Sequence, residues 1–340
     1  MSLFADAPWY ESRRARCPRC PAHPQDVASG VRHPVVIPSF AKINLALAVS
    51  RPEPVERGGS PNPRAGWHRI CSFFSCVDLA DTLELTPLDA GASRFTVQWA
   101  PDAPRPTPID WPIEQDLTFR AHAMVERAIG RTLPIRAVLT KRIPVGGGMG
   151  GGSSNAAAMI RGLAELFSLE LGSLLPIGAG LGSDVAFFLD EAQRFDEPAR
   201  PALVEGFGDR VIRRDPIESS IVLICPSVAC PTPAVYRAFD HWLAAQPSFR
   251  FREAEVRACF PDPGPIVSSA LLNDLTEPAF AVAPALRAVH AAASAVHRPV
   301  HVTGSGSTLF AVVPAREAES IAASIRSVVS GAEVIVTSLR

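Results

Sequence analysis

Between Gly146 and Gly152 the chain places six glycines in seven residues, broken only by Met149. A run this rich in glycine gives up backbone order that side chains would have helped to keep. The return is close approach of the main chain to a ligand, with several N–H groups turned to one point. Downstream, Ala157, Ile160, Leu163 and Phe167 recur at three- and four-residue steps, which predicts an amphipathic helix. Ser153 or Ser154 suits its N-terminal turn. A glycine loop feeding a helix N-terminus is an anion site, because free amides and the helix dipole both favour phosphate. A flexible linker would not sit between an apolar strand and such a helix.

Two familiar nucleotide loops are a poor match. A P-loop needs a lysine before its Ser/Thr, yet Gly147–Gly152 runs straight into Ser153. Gly146, Gly148 and Gly151 fit a dinucleotide fingerprint, but a run this glycine-rich supplies that match almost for free. The acidic residue expected about 20 positions on is met only loosely by Glu165 or Glu170. A nicotinamide-dependent enzyme is therefore the weakest alternative.

At 340 residues the chain can form two domains with real cores. Its formal net charge of −1 gives no electrostatic footprint for nucleic acid or membrane. No apolar run approaches 18 residues, and the N-terminus lacks the apolar segment of a secretory signal. Seven scattered cysteines fit a reducing, cytoplasmic setting better than a disulfide frame. Residues 1–35, rich in Arg, Pro and Ala, read as a flexible extension. Cys17 and Cys20 have zinc-ligand spacing but no second pair at suitable distance, so no zinc site is expected.

Of 33 basic residues only Lys42 and Lys141 are lysines. Where arginine has displaced lysine elsewhere, a retained lysine points to work that needs a compact ammonium. Lys42 lies in an apolar segment, Val35–Val49, that reads as a strand with Ile43, Leu45, Leu47 and Val49 on one face and Lys42 and Asn44 on the other. Further strands are expected over 69–77, 81–85, 220–225 and 333–337. Helices are expected over 117–129, from Pro231, from Leu275 to about Ala295, and over 316–329. Residues 190–201 read as a divergent surface loop. Asp184 follows Gly-Ser and could be no more than a helix cap.

The order Pro144-x-x-x-Gly148-x-Gly150-x-x-Ser153-Ser154 resembles the phosphate loop of the GHMP kinases. Pro38-x-x-Ala41-Lys42-x-Asn44-Leu45, Gly182-Ser183-Asp184-Val185 and Gly304-Ser305-Gly306 resemble that superfamily's other motifs. Gly66-Trp67-His68 resembles the Gly-Tyr-His segment of one branch, the 4-diphosphocytidyl-2-C-methyl-D-erythritol kinases. Asp116 stands where the family usually has asparagine, Ser183 for its alanine and Ala186 for its proline. The resemblance implies an α+β, two-domain fold: an ATP-binding, ribosomal S5-like domain over 36–215 and a ferredoxin-like domain over 216–340.

It further implies ATP and Mg²⁺ as cofactors, held at Pro144, Gly146, Gly147, Gly148, Gly150, Gly151, Gly152, Ser153 and Ser154, with Ser153 near the metal. Asp184 would take the proton from the acceptor hydroxyl and Lys42 would offset charge beside it. Asn44 would orient the same region, and Trp67, His68 and Tyr236 would bind cytosine. The expected reaction phosphorylates the 2-hydroxyl of diphosphocytidyl methylerythritol in non-mevalonate isoprenoid synthesis. The expected enzyme is a monomer or weak homodimer with a small-molecule substrate and no nucleic-acid or membrane partner. A homoserine- or mevalonate-type kinase and a catalytically silent nucleotide binder remain open.

Overall fold

The computed structural model describes residues 33–260 and 266–340. The expected N-terminal extension, up to residue 32 and including Cys17 and Cys20, lies outside the described residues.

The chain opens with an 18-residue strand, β1 (Val35–Pro52), then a loop carrying the short hairpin β2 (Glu56–Arg57) and β3 (Ser60–Pro61). The 20-residue β4 (His68–Pro87) returns antiparallel to β1. The two strands expected over 69–77 and 81–85 are thus one, because pairing with β1 runs almost unbroken from Leu85 to His68. β5 (Arg94–Trp99), α1 (Leu117–Ile129), β6 (Ile135–Lys141), α2 (Gly151–Leu166), α3 (Leu171–Leu181), α4 (Val185–Phe188), β7 (Ala202–Gly206) and β8 (Arg210–Arg213) follow. They complete a six-stranded sheet in the order β5-β6-β4-β7-β8, with β1 also paired to β4.

The remaining chain comprises β9 (Ser220–Pro226), α5 (Thr232–Ala244), α6 (Glu253–Ala258), α7 (Thr276–Val282), α8 (Pro284–Val296), β10 (His301–Val302), β11 (Leu309–Val313), α9 (Ala318–Val328) and β12 (Ala332–Ser338). Its antiparallel sheet has the order β10-β11-β9-β12. Numbered within this half the order is 2-3-1-4, the ferredoxin-like arrangement of a split β-α-β unit. The single helix expected from Leu275 to Ala295 is broken into α7 and α8. Pro284 has no N–H to continue the ladder and starts a new helix instead.

Side-chain alternation sorts the strands into layers. Phe74, Leu83 and Leu85 face the helices α1–α4, with Ile160 and Leu163 of α2 among their neighbours. Phe73 and Val77 share a second core with Ile221, Leu223 and Phe310, between the two sheets. Val222 and Ile224, one step along β9, turn to a third core with Val235, Phe239 and Leu286. Each fully buried phenylalanine here holds about 3–5 kcal/mol against truncation to alanine.

β1 departs from simple alternation. Its register shifts between Asn44 and Ala46, and a bulge of one residue flips the side chains that follow. Ile43 and Leu45 therefore pack between the sheets while Leu47 and Val49 join the third core. The single apolar row expected through Ile43, Leu45, Leu47 and Val49 is split in two. Residues 190–201 form the expected surface loop, mostly exposed or half-buried from Glu191 to Pro198 and tied down at its two ends by the buried Asp190 and Ala199. Asp190 is buried and accepts Arg200 Nε at 2.8 Å and Nη2 at 3.1 Å, with Arg213 Nε at 3.6 Å. Those cations hold its carboxyl below the usual range even though burial alone would raise it. Among the described residues no helix is long and apolar enough to cross a membrane.

Candidate active site

The glycine loop joins β6 to α2 and forms one wall of a cleft of about 580 Å³. Gly146, Gly148 and Gly150 have φ of +72°, +77° and +67°. Such alternation turns successive N–H groups toward one concave side, an anion nest. The first-turn amides of α2, on Gly151, Gly152 and Ser153, have no acceptor inside the helix and add to it. Met149 shows why the run is not all glycine: its side chain is buried between the two sheets, while its carbonyl accepts Lys42 N–H at 2.9 Å. At Gly148 only glycine fits, since a Cβ would stand 2.8 Å from Gly306 O and 3.0 Å from Thr303 O. The glycine loop is thereby seated on the Gly304-Ser305-Gly306 turn.

Pro144, Gly146, Gly147, Gly148, Gly150, Gly151, Gly152 and Ser153 all line the cleft. Ser154 does not. It is buried one position further along α2, donates its N–H to Gly150 O, and lines a small separate cavity with Pro38 and Phe188.

Lys42 reaches the cleft from β1, its stem passing where a Cβ on Gly150 would stand 3.0 Å away. Its side chain is 4% exposed, its Nζ donates to Asn44 Oδ1 at 2.6 Å, and it lies 3.1 Å from Asp184 Oδ2. The ammonium also sits 4.4 Å from the centre of the Phe74 ring. Asn44 is fixed in turn: Nδ2 donates to Ser72 Oγ at 2.9 Å, and its backbone N–H donates to Thr303 Oγ1 at 2.7 Å. Asp184 occupies the N-cap position of α4 but makes no side-chain cap bond. The bland reading of this aspartate fails on geometry, because its carboxylate points to Lys42.

Tyr236 of α5 also lines the cleft, as do Leu47 and Ile70. Burial, and then the charge of Asp184, pushes its phenol above the usual range, so it stays a neutral ring and donor. His68 lies beneath it with ring centroids 5.2 Å apart. The His68 Nδ1 donates to Ser50 O at 2.9 Å, and Nε2 lies 3.4 Å from Asp240 Oδ1. Trp67 sits further out. It is 57% exposed, does not line the cleft, and packs edge-on to Phe207, whose other neighbour is the Arg64 guanidinium at 4.2 Å. The structure thus brings Lys42, Asn44, Asp184, Tyr236 and the loop together, places His68 against Tyr236 but off the lining, and leaves Trp67 outside the lining.

Asp116 also lines the cleft, where it caps α1. It accepts Thr118 N–H at 2.8 Å and Trp111 Nε1–H at 3.1 Å. Asn273 clamps the Gly304 turn by donating to Val302 O at 2.7 Å and Gly304 O at 2.8 Å. Sequence reasoning missed Asp81, which holds Lys141 Nζ at 2.6 Å. An isolated aspartate inside a strand pattern carries no signal beyond its lysine partner's rarity. Among the described residues no group of three or more His, Cys, Asp or Glu could hold a metal ion. All five described cysteines are buried free thiols, and burial pushes Cys71 and Cys76 up to about 12.

Residues 116–190 match the model of the GHMP kinases N terminal domain. The 4-diphosphocytidyl-2-C-methyl-D-erythritol kinase of Citrifermentans bemidjiense is 30% identical over 302 residues, covering 83% of this chain and 91% of that one. The kinase of the same name from Exiguobacterium sibiricum is 33% identical over 216 residues, a match that spans 66% of its length. Among solved structures, a 4-(cytidine 5'-diphospho)-2C-methyl-D-erythritol kinase superimposes with a TM-score of 0.67 at 28% identity, covering 90% of this chain and 99% of that one.

Proposed function

Because the chain belongs to the 4-diphosphocytidyl-2-C-methyl-D-erythritol kinase family of GHMP kinases, we propose that it transfers the γ-phosphoryl group of ATP to the 2-hydroxyl of 4-diphosphocytidyl-2-C-methyl-D-erythritol. The observation that carries this reading is the Lys42–Asp184 pair facing the same cleft as the glycine loop.

Phosphoryl transfer asks a protein for alignment and charge neutralisation more than for covalent chemistry. The loop amides from Gly146 to Ser153 receive the nucleotide phosphates. Asp184 accepts the proton of the acceptor hydroxyl, and Lys42, shared between Asp184 and Asn44, offsets the charge that develops on the attacking oxygen. Burial strengthens each of these contacts relative to water. Mg²⁺ is usually held by one or two protein oxygens plus substrate phosphates, and Ser153 and Asp184, both of which line the cleft, would fit that sparse donor set. When bound, the ion would neutralise phosphate charge.

In this reading residues 36–215 supply the nucleotide site and residues 216–340 supply Tyr236, whose ring face suits cytosine. His68 braces that ring. Trp67 reaches the base only if the loop of residues 53–67 folds inward from its contact with Phe207. The test is ADP release with Mg-ATP and diphosphocytidyl methylerythritol. Turnover with that alcohol, and none with homoserine or mevalonate, is expected. Turnover with one of those alcohols in its place contradicts the substrate assignment.

A further inference from the structure

Asp81, in β4, has no exposed surface and takes part in none of the steps above. Its carboxylate nevertheless accepts four hydrogen bonds. Oδ2 receives Lys141 Nζ at 2.6 Å and Asn155 Nδ2 at 2.9 Å; Oδ1 receives the backbone N–H of Arg142 at 2.7 Å and of Ile143 at 2.8 Å. The donors bracket the glycine loop. Lys141 ends β6, Arg142 and Ile143 lead into the loop, and Asn155 lies in the helix that leaves it. One carboxylate therefore fastens the loop's entry to its exit.

The loop needs such a fastening. Its glycines impose little conformational preference of their own, so the direction of its amides is set by what holds it: Lys42 N–H on Met149 O and Thr308 N–H on Gly147 O in the middle, and Asp81 at both ends. The same carboxylate also fixes Lys141, which lines the cleft and lies 5.9 Å from the centre of the Trp99 ring. An ammonium has three hydrogens in all; with one given to Asp81, the head group is held in place with donors to spare.

We infer that Asp81 is a positioning residue for the nucleotide: it sets the shape of the phosphate loop and holds Lys141 at the cleft. This rests on reading the loop as the ATP site. Asp81→Asn keeps the shape of the side chain, but an amide group in place of one oxygen meets donors that need an acceptor. ATP binding to the intact protein should weaken by about tenfold or more, the loss expected when a charged hydrogen bond is removed. Cytidine diphosphate binding should change by less than about twofold, the KM for ATP should rise, and the KM for the alcohol should hold. A merely structural role predicts the opposite split, with less active protein and unchanged dissociation constants.

Calorimetry with ATP alone, and separately with cytidine diphosphate, reads this without the acceptor alcohol. A failed substrate assignment and a failed Asp81 assignment therefore give different results. Unchanged ATP affinity in a folded Asp81→Asn variant overturns the inference. If that variant does not fold, Lys141→Gln removes the charged donor alone. It should weaken ATP about tenfold while sparing cytidine diphosphate, and unchanged ATP affinity there overturns the inference equally. A wild type that does not bind ATP removes the loop reading and this inference with it.

Discussion

Asp184 begins α4, yet its carboxylate leaves that helix's amides uncapped and lies 3.1 Å from Lys42 Nζ. An N-terminal carboxylate normally gains about 1 kcal/mol by capping. Here the side chain forgoes that and pairs instead with an ammonium that is almost fully buried. The arrangement suits a proton acceptor beside a stabilising cation.

Lys42→Met should lower kcat by roughly 10²–10³-fold, the range seen when one preorganised charge-stabilising donor is removed. Lys42→Arg should not restore it. The Lys42 stem runs against Gly150, and a planar guanidinium neither fits that channel nor places a point charge. Steady-state kinetics beside a circular dichroism spectrum check both; an arginine variant with near-wild-type kcat would refute the steric part.

Two glycines in the loop should respond very differently to alanine. Gly148→Ala combines φ of +77° with a Cβ 2.8 Å from a backbone carbonyl, so the loop must shift and ATP binding should fall by at least tenfold. Gly146→Ala has a similar φ, +72°, but open space around it, and should cost about 1 kcal/mol of stability with little loss of affinity. Thermal melts and ATP titrations of the two variants side by side separate the effects.

Tyr236→Ala should raise the KM for the alcohol about tenfold or more while leaving that for ATP unchanged, since a base–aromatic stack is worth about 1–3 kcal/mol. Trp67→Ala should have a much smaller effect. It is 57% exposed, packs against Phe207 and does not line the cleft. A Trp67→Ala loss as large as that of Tyr236→Ala would show that the loop of residues 53–67 closes on the base.

His301 gives a pH signature distant in kind from the chemistry. Burial lowers its imidazole to about 4, with only a smaller opposing effect from the Ser268 backbone. The folded state therefore binds fewer protons than the unfolded state between pH 6.5 and about 4. Stability is full above 6.5 and is lost as pH falls through that window, by on the order of 3 kcal/mol. Asp274, raised by burial, acts with the opposite sign below neutrality. Urea denaturation from pH 7 to 4 should flatten in His301→Phe, and an unchanged slope would contradict the assignment.

The parts legible in the sequence were those with unusual local composition. A glycine-rich loop before a periodic helix announces itself, and so does a lone lysine in an arginine-rich chain. Even α1 was readable to its ends, because Asp116 and Gly130 punctuate it. What could not be read depends on pairing. The bulge after Asn44 has no marker in a run of Ala and Leu, so the split of Leu45 from Leu47 appears only once β4 is in register. Asp81 and Asp190 look like ordinary strand and loop acids until partners 60 and 10 residues away in sequence converge on them. Ser154 differed from Ser153 only by a step of helical phase, enough to turn it from the cleft.

The most direct measurement of the central claim is ADP release by the wild type and Asp184→Asn, with Mg-ATP and 4-diphosphocytidyl-2-C-methyl-D-erythritol, alongside ATP affinity for both. The account predicts turnover in the wild type, a fall in kcat of about 10²–10⁴-fold in the variant, and ATP affinity retained. Turnover undiminished in Asp184→Asn would contradict it.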